Sequence, residues 1–334
     1  MSKTDLPTVE EAGAPVRGLS FVKSQLPRLK SAGILLPFVI LFVFLTFATP
    51  AFFQQTNLQN ILEQQAAILI MGAAGTLVLI SGGIDLSVGA TYALTGVIYA
   101  QLGQHNGVAV SLALALGAGL VIGLANGLIT TIGRINSLIA TLSMSFIVTG
   151  IASKISEGNL IVLTSKPEFG RLAQTTILGV HSSIWLAVAA LVVMGVLLSR
   201  STFGRYLYAA GGNPEAARLA GIRVTWVRVA AFATSGVAAA LAGCIDVSRF
   251  LTAQSATGDT LAFTVLAGIV VGGTSILGGE GSIWRSIVGV LFIALVGNGF
   301  DLLGIDPLYQ QVTLGVIILL AVGLDVFARV SRRS

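Results

Sequence analysis

The sequence predicts an all-α polytopic membrane protein of about ten transmembrane helices with broken or re-entrant segments, and three observations carry that prediction. Hydrophobic residues make up 54% of the 334-residue chain and charged residues only 10%, with a mean hydropathy of +0.91. An ordinary soluble domain carries about 25% charge. Apolar runs recur along the chain at lengths close to the ~20 residues a membrane helix needs. Two glycine-rich polar stretches, 82–89 and 272–281, interrupt or close such runs, and non-helical backbone survives at membrane depth only inside protein or beside a water-filled path.

Taken in order, residues 1–32 are a polar head containing Lys3, Arg17, Lys23, Arg28 and Lys30, expected to be a disordered cytoplasmic tail. A secretory signal would place its apolar core close to the start. Here the first apolar run follows some thirty polar residues, so it is expected to be a retained span. Residues 33–330 are expected to form a single transmembrane domain, with apolar segments at 33–53, 62–81, 87–103, 107–133, 137–156, 183–199, 226–247, 261–279, 283–303 and 308–328. With the N-terminus inside, only Lys154, Lys166, Arg171 and Arg249 fall outside, leaving 15 of the 19 Lys and Arg on the cytoplasmic face. A nine-span chain would put Arg329, Arg332 and Arg333 outside, against the positive-inside rule. Both termini are therefore expected to be cytoplasmic, with the loop 157–182 outside and the loop 200–225 inside. The same distribution explains the net charge of +5 without nucleic acid.

The inner loop encodes a short helix at about 214–220. Asn213 suits the N-cap, Pro214 the first helical position, Glu215 the positive end of the dipole and Gly221 the C′ position. Ala216, Ala217, Leu219 and Ala220 form its small apolar surface. A helix of two turns is marginal alone and needs docking. Two partners fit: its own membrane domain, or a cytoplasmic protein gripping it as a handle.

The glycine-rich stretches hold the candidate translocation residues: Gly82, Gly83, Asp85, Ser87 and Gly89 in the first, and Gly272, Gly273, Gly278 and Gly279 in the second. Paired interrupted segments in two halves of a transporter mark repeat-built binding regions, although the similarity here is too short to establish a repeat. An ionisable residue at membrane depth is a functional-site candidate. Three roles fit Asp85: accepting hydrogen bonds from N–H groups freed by the break, gating or lining a path, and proton coupling. Asn126, Thr141 and Asn298 are polar positions in apolar spans, suited to interhelical hydrogen bonds or to lining a path. Asp246 with Arg249, and Asp325 with Arg329, are spaced to pair. Glu280 and Arg285 sit at the last cytoplasmic junction. Trp185, Trp226 and Trp284 near span ends suit interfacial anchors. Cys244, the only cysteine, lies in an apolar run and suits packing, and His105 and His181 fall in loops. No Cys/His set has metal-ligand spacing.

Several stretches together resemble the membrane subunit of ATP-binding-cassette sugar importers, the ribose/xylose/arabinose/galactose permease family. They are Gly82-Gly83-Ile84-Asp85-Leu86-Ser87-Val88-Gly89, Gly123-Leu124-Ala125-Asn126-Gly127 with Ile139-Ala140-Thr141-Leu142, Val271-Gly272-Gly273-Thr274-Ser275 with Gly278-Gly279-Glu280-Gly281-Ser282, and Asn298-Gly299 with Leu302-Leu303-Gly304. Glu215-Ala216-Ala217-Arg218-Leu219-Ala220-Gly221 is similar to the coupling motif of such permeases. The resemblance spans about 33–330. The family often has Pro-Phe where this chain has Ser137-Leu138, and acidic residues where Ala262 and Thr264 stand. The resemblance implies a non-enzymatic subunit of the bacterial inner membrane that carries a monosaccharide by alternating access. Its implied partners are a second permease copy, an extracytoplasmic sugar-binding protein and a cytoplasmic ATPase that binds ATP and Mg and docks on residues 213–221. The chain lacks the Gly-xxxx-Gly-Lys-Ser/Thr phosphate loop, so ATP hydrolysis is expected on the partner and no cofactor on this chain. The competing class is a self-sufficient secondary transporter. A membrane-embedded enzyme fits poorly, because no nucleophile–base set gathers at a membrane face.

Overall fold

The computed structural model describes residues 33–258, 260–306 and 308–333. The tail 1–32 and the side chains of Asp325, Arg329, Arg332 and Arg333 lie outside the described residues. Each predicted apolar segment contains a helix: α1 (Leu35–Ala48), α2 (Gln55–Ile80), α3 (Val88–Gly103), α4 (Val108–Thr131), α5 (Ser137–Ser156), α7 (Ser182–Arg200), α10 (Val224–Phe250), α11 (Leu261–Val271), α12 (Ile283–Leu302) and α13 (Leu308–Arg333). Six of them, α2, α4, α5, α7, α10 and α12, are long and apolar enough to cross a membrane. The segment 157–182 holds the strand β1 (Ile161–Val162), the one-turn helix α6 (Arg171–Gln174) and the hairpin of β2 (Thr176–Ile177) and β3 (Val180–His181). Leu178 and Gly179 turn that hairpin at φ 52 and 78, the left-handed pair a two-residue hairpin needs. Strand β1 pairs antiparallel with β4 (Thr252–Ala253). At the opposite end lie α8 (Thr202–Gly212) and α9 (Pro214–Leu219).

The long helix α10 is the packing centre. Gly119, Gly123 and Gly127, spaced four apart on α4, lie against the α10 backbone at Gly236, Phe232 and Val229, where added methyl groups would overlap main-chain atoms. Small residues on one face let helices approach this closely in lipid. Around α10, Leu77, Leu207 and Phe232 form part of a buried cluster joining α2, α8 and α10.

The short helices α3 and α11 follow irregular backbone inside the bundle, and their placement decides the architecture. Helix α3 starts where Ser87 and Asp85 bond to Asn126 and Ser235. Ser235 lies eleven residues into α10, or roughly 16 Å along its axis, so α3 begins deep inside and runs to the hairpin end, where Gly103 meets Phe169. Helix α11 begins at the same level, because Gly258 and Gly89 touch backbone to backbone, and runs to the α9 end. The expected span 261–279 is corrected accordingly: the helix stops at Val271 and 272–282 is irregular. The two half-length helices start together and point in opposite directions.

The expected Asp246–Arg249 pair is also corrected. No ion pair joins them among the described residues; Arg249 Nε stands 4.0 Å from Glu63 Oε2, and its guanidinium lies 4.9 Å from the Phe250 ring centre. The other Glu63 oxygen is 2.8 Å from His181 Nδ1, which ties the hairpin to α2. Cys244 is buried among Tyr99, Leu163 and Phe169, the packing position expected of it.

Candidate functional site

The first break is a helix end followed by a climbing strand of irregular chain. Gly82 N–H donates to Leu79 O at 2.9 Å and Gly83 N–H to Val78 O at 3.0 Å, with Gly82 at φ 84. This is the left-handed closure that favours glycine. The next residues must then satisfy their backbone without a helix. Ile84 N–H donates to Ser137 Oγ at 3.1 Å, and Leu86 N–H to Thr141 Oγ1 at 3.0 Å. Asp85 Oδ1 accepts from Ser87 N–H at 3.0 Å and Ser87 Oγ at 2.7 Å, and its Oδ2 accepts from Ser235 Oγ at 2.8 Å. Asn126, 0% exposed, donates from Nδ2 to Ser87 Oγ at 2.7 Å. Asp85 therefore ties the start of α3 to α10 through these hydrogen bonds. Gly89, four residues after Asp85, supplies the bare surface that meets Gly258.

The second break repeats the first closure. Gly273 N–H donates to Val270 O at 2.8 Å and Thr274 N–H to Ile269 O at 3.2 Å, with Gly273 at φ 85. Gly272 lies against the Arg285 carbonyl of α12. Ser275 N–H then donates to Glu280 O at 3.0 Å, closing a loop in which Gly278 and Gly279 take φ 85 and 76. Ser286 links both broken elements, accepting from Thr76 of α2 at 2.8 Å and lying 3.2 Å from Thr274 Oγ1.

The two breaks meet at α8. Gly279 N–H donates to Ile80 O at 2.9 Å, and Gly211 sits against both. A methyl group on Gly211 would overlap Ile80 O and fall 2.6 Å from Gly279 N. Arg228 pins the same junction, donating from Nε to Ser81 O at 2.9 Å and from Nη2 to Ala210 O at 3.2 Å. Tyr208 OH donates to Gly281 O at 2.8 Å. Gly211, Arg228, Tyr208 and Ser235 were not singled out from the sequence. The signal present was the Gly211-Gly212 pair directly before the Asn213 cap. Ser137, noted in the sequence only as a departure from the resembled family, serves Ile84 through its hydroxyl.

Helix α9 follows after one extended residue, Asn213. Asn213 Oδ1 accepts from Ala216 N–H at 3.0 Å, Pro214 occupies N1 and Gly221 takes φ 83 beyond the end, as the sequence predicts. Of the small apolar surface expected on this helix, Ala217 is the inward part, 4% exposed and packed with Leu198, Leu207 and Val224. Leu219 is 86% exposed, beside the Glu215–Arg218 ion pair at 3.0 Å. The helix thus docks on its own domain through Ala217 and presents Glu215, Arg218 and Leu219 outward. Asn298 lies apart from the breaks and forms a reciprocal amide pair with Asn57, at 3.1 and 2.9 Å, joining α12 to α2. No cluster of three or more His, Cys, Asp or Glu suited to a metal occurs among the described residues.

No solved structure matches the chain significantly. Residues 57–322 match the family model described as "Branched-chain amino acid transport system / permease component". The ribose import permease protein RbsC of Escherichia coli (strain K12) is 36% identical over 309 residues, covering 91% of this chain and 95% of that protein. The RbsC of Bacillus subtilis (strain 168) is 38% identical over 300 residues, covering 89% and 93%. The L-arabinose ABC transporter permease protein AraH of Azospirillum brasilense is 34% identical over 330 residues, covering 98% and 96%. With the matched model spanning most of the helical domain and these relatives aligned nearly end to end, the chain belongs to this permease-component family, among relatives that are ribose and arabinose ABC importer permeases.

Proposed function

We propose that this chain forms the path by which a monosaccharide crosses the bacterial inner membrane, working by alternating access as one of two permease copies. ATP with Mg is bound and hydrolysed by a separate cytoplasmic ATPase that grips α9, and an extracytoplasmic binding protein delivers the sugar. The observation that carries the reading is the continuous connection from α9 through Asn213 to Gly211, which is wedged between Ile80 and Gly279 at the ends of both breaks. A push on α9 is therefore delivered to two discontinuous helices at once, the kind of packed two-arrangement element that switching requires. Discontinuous helices are where transporters of other families place their substrate paths. A secondary transporter would have no use for an outward-facing two-turn helix coupled this way.

The grip is tested on the outward residues. Leu219→Asp is expected to reduce ATPase co-purification about tenfold, since burying one leucine at an interface contributes about 1.5–3 kcal/mol. Glu215→Lys should weaken it further, and both variants should insert and fold as the wild type. Unchanged association and uptake in both would remove α9 as the coupling element. Orientation is tested separately with impermeant thiol reagents on single-cysteine variants lacking Cys244. Position 168 is expected to label from outside and position 213 only after permeabilisation; the reverse pattern would overturn the topology.

A further inference from the structure

A cavity of about 680 Å³ opens at the α9 end, and the proposed transport cycle places no ligand in it. Arg134, Arg218 and Arg228 converge on it, with Thr130, Thr131 and Thr225 completing its wall. The first turn of α10, at Val224 and Thr225, also lines it, and the positive end of its dipole favours negative charge. Three guanidinium groups around one cavity repel each other unless an anion answers them. Among the described ion pairs, Glu215 answers only Arg218. Arg228 has two N–H groups committed to Ser81 O and Ala210 O, and the rest of its fork remains for the cavity. Arg134 is held at φ 55, a backbone shape that costs energy for a residue other than glycine.

We propose that this cavity binds a phosphate group, that of a phospholipid headgroup in the cytoplasmic leaflet. Arginine forks match phosphate oxygens in paired hydrogen bonds, and basic pockets between membrane helices on the cytoplasmic side take lipid headgroups. Ile132 and Ile135, close to Arg134 in the chain, are 61% and 47% exposed, so apolar surface suited to acyl chains lies beside one of the three arginines, which favours a headgroup over a free ion in water. The leaflet assignment rests on the proposed topology, while the binding chemistry does not. Through Arg228 the bound phosphate would steady the junction of α2 with α8.

The full-length chain is purified in detergent, stripped of lipid, and titrated separately with short-chain phosphatidylglycerol and with inorganic phosphate, with bound adducts counted by native mass spectrometry. Arg134→Gln and Arg218→Gln are each expected to weaken lipid retention about fivefold, the effect of removing one arginine near an anionic headgroup. Arg205→Gln, an exposed basic residue of α8 outside the cavity, is the control and should change nothing. Inorganic phosphate that binds equally well, and is lost in the same variants, would uphold the phosphate site and make free phosphate its occupant. Wild-type retention in both cavity variants, or equal losses in the control, would overturn the proposal. Because no ATPase is present, failure here leaves the importer reading intact, and failure of that reading leaves this result standing.

Discussion

Gly211→Ala is expected to reduce sugar uptake by the assembled transporter more than tenfold, while Gly212→Ala, one residue away, leaves uptake near wild type. The contrast is geometric. A methyl group at 211 overlaps the Ile80 carbonyl and crowds Gly279 N, whereas one at 212 meets nothing within 4 Å. Overpacking a close-packed interior costs about 1–3 kcal/mol. Here the neighbours are backbone atoms of both breaks, so no side-chain rotation can relieve the clash. Helix α8 must back away, the Gly279 N–H bond to Ile80 O at 2.9 Å must lengthen, and both breaks lose their common support. Both substitutions sit in the same helix, so a general effect of alanine on α8 would appear in both. ATPase association should survive, because the outward residues of α9 are untouched. Uptake, ATPase co-purification and thermal stability in detergent are the three measurements. Normal uptake by Gly211→Ala would show that this junction does not transmit the motion.

The second large effect is at Asp85, where two substitutions separate holding from moving. Asp85→Leu removes the acceptor for Ser87 N–H, Ser87 Oγ and Ser235 Oγ together. Each buried donor left unmet costs roughly 1–3 kcal/mol, so the yield of assembled transporter and its thermal stability should both fall sharply. Asp85→Asn keeps the size and one acceptor oxygen but turns a charge-assisted set into neutral bonds, which are about half as strong. It should assemble near normally and transport several-fold more slowly. Ser235→Ala, which removes only the bond from α10, should fall between wild type and Asp85→Leu in stability. If both Asp85 variants assemble and transport at wild-type rates, the carboxylate neither ties the break nor takes part in transport.

How much of this was readable beforehand follows from the range of the interactions involved. Local rules were enough for α9, because an N-cap, a proline at N1 and a C′ glycine act within one or two turns: Asn213, Pro214 and Gly221 fall where predicted. Hydropathy was enough to place a helix in every apolar segment, because lipid forces each buried backbone to bond within its own element. The glycine-rich stretches announced both breaks for the same reason. What the chain alone could not reveal was depth and partnership. Nothing near residue 261 states that α11 begins halfway through the bundle; that depends on Gly258 meeting Gly89, 169 positions earlier. Which of Ala216, Ala217, Leu219 and Ala220 faces inward was not readable, because a two-turn helix has no period long enough to tell its inner face from its outer one. Asp246 and Arg249 had the spacing of a pair, but among the described ion pairs Arg249 stands with Glu63 on a different helix. Composition and short-range backbone chemistry by themselves determined a multi-helix membrane protein with two breaks and a capped surface helix. Only the tertiary structure decided that α8 joins all three, because that junction is made of backbone contacts between Ile80, Gly211 and Gly279, and a missing side chain leaves no signature of what it makes room for.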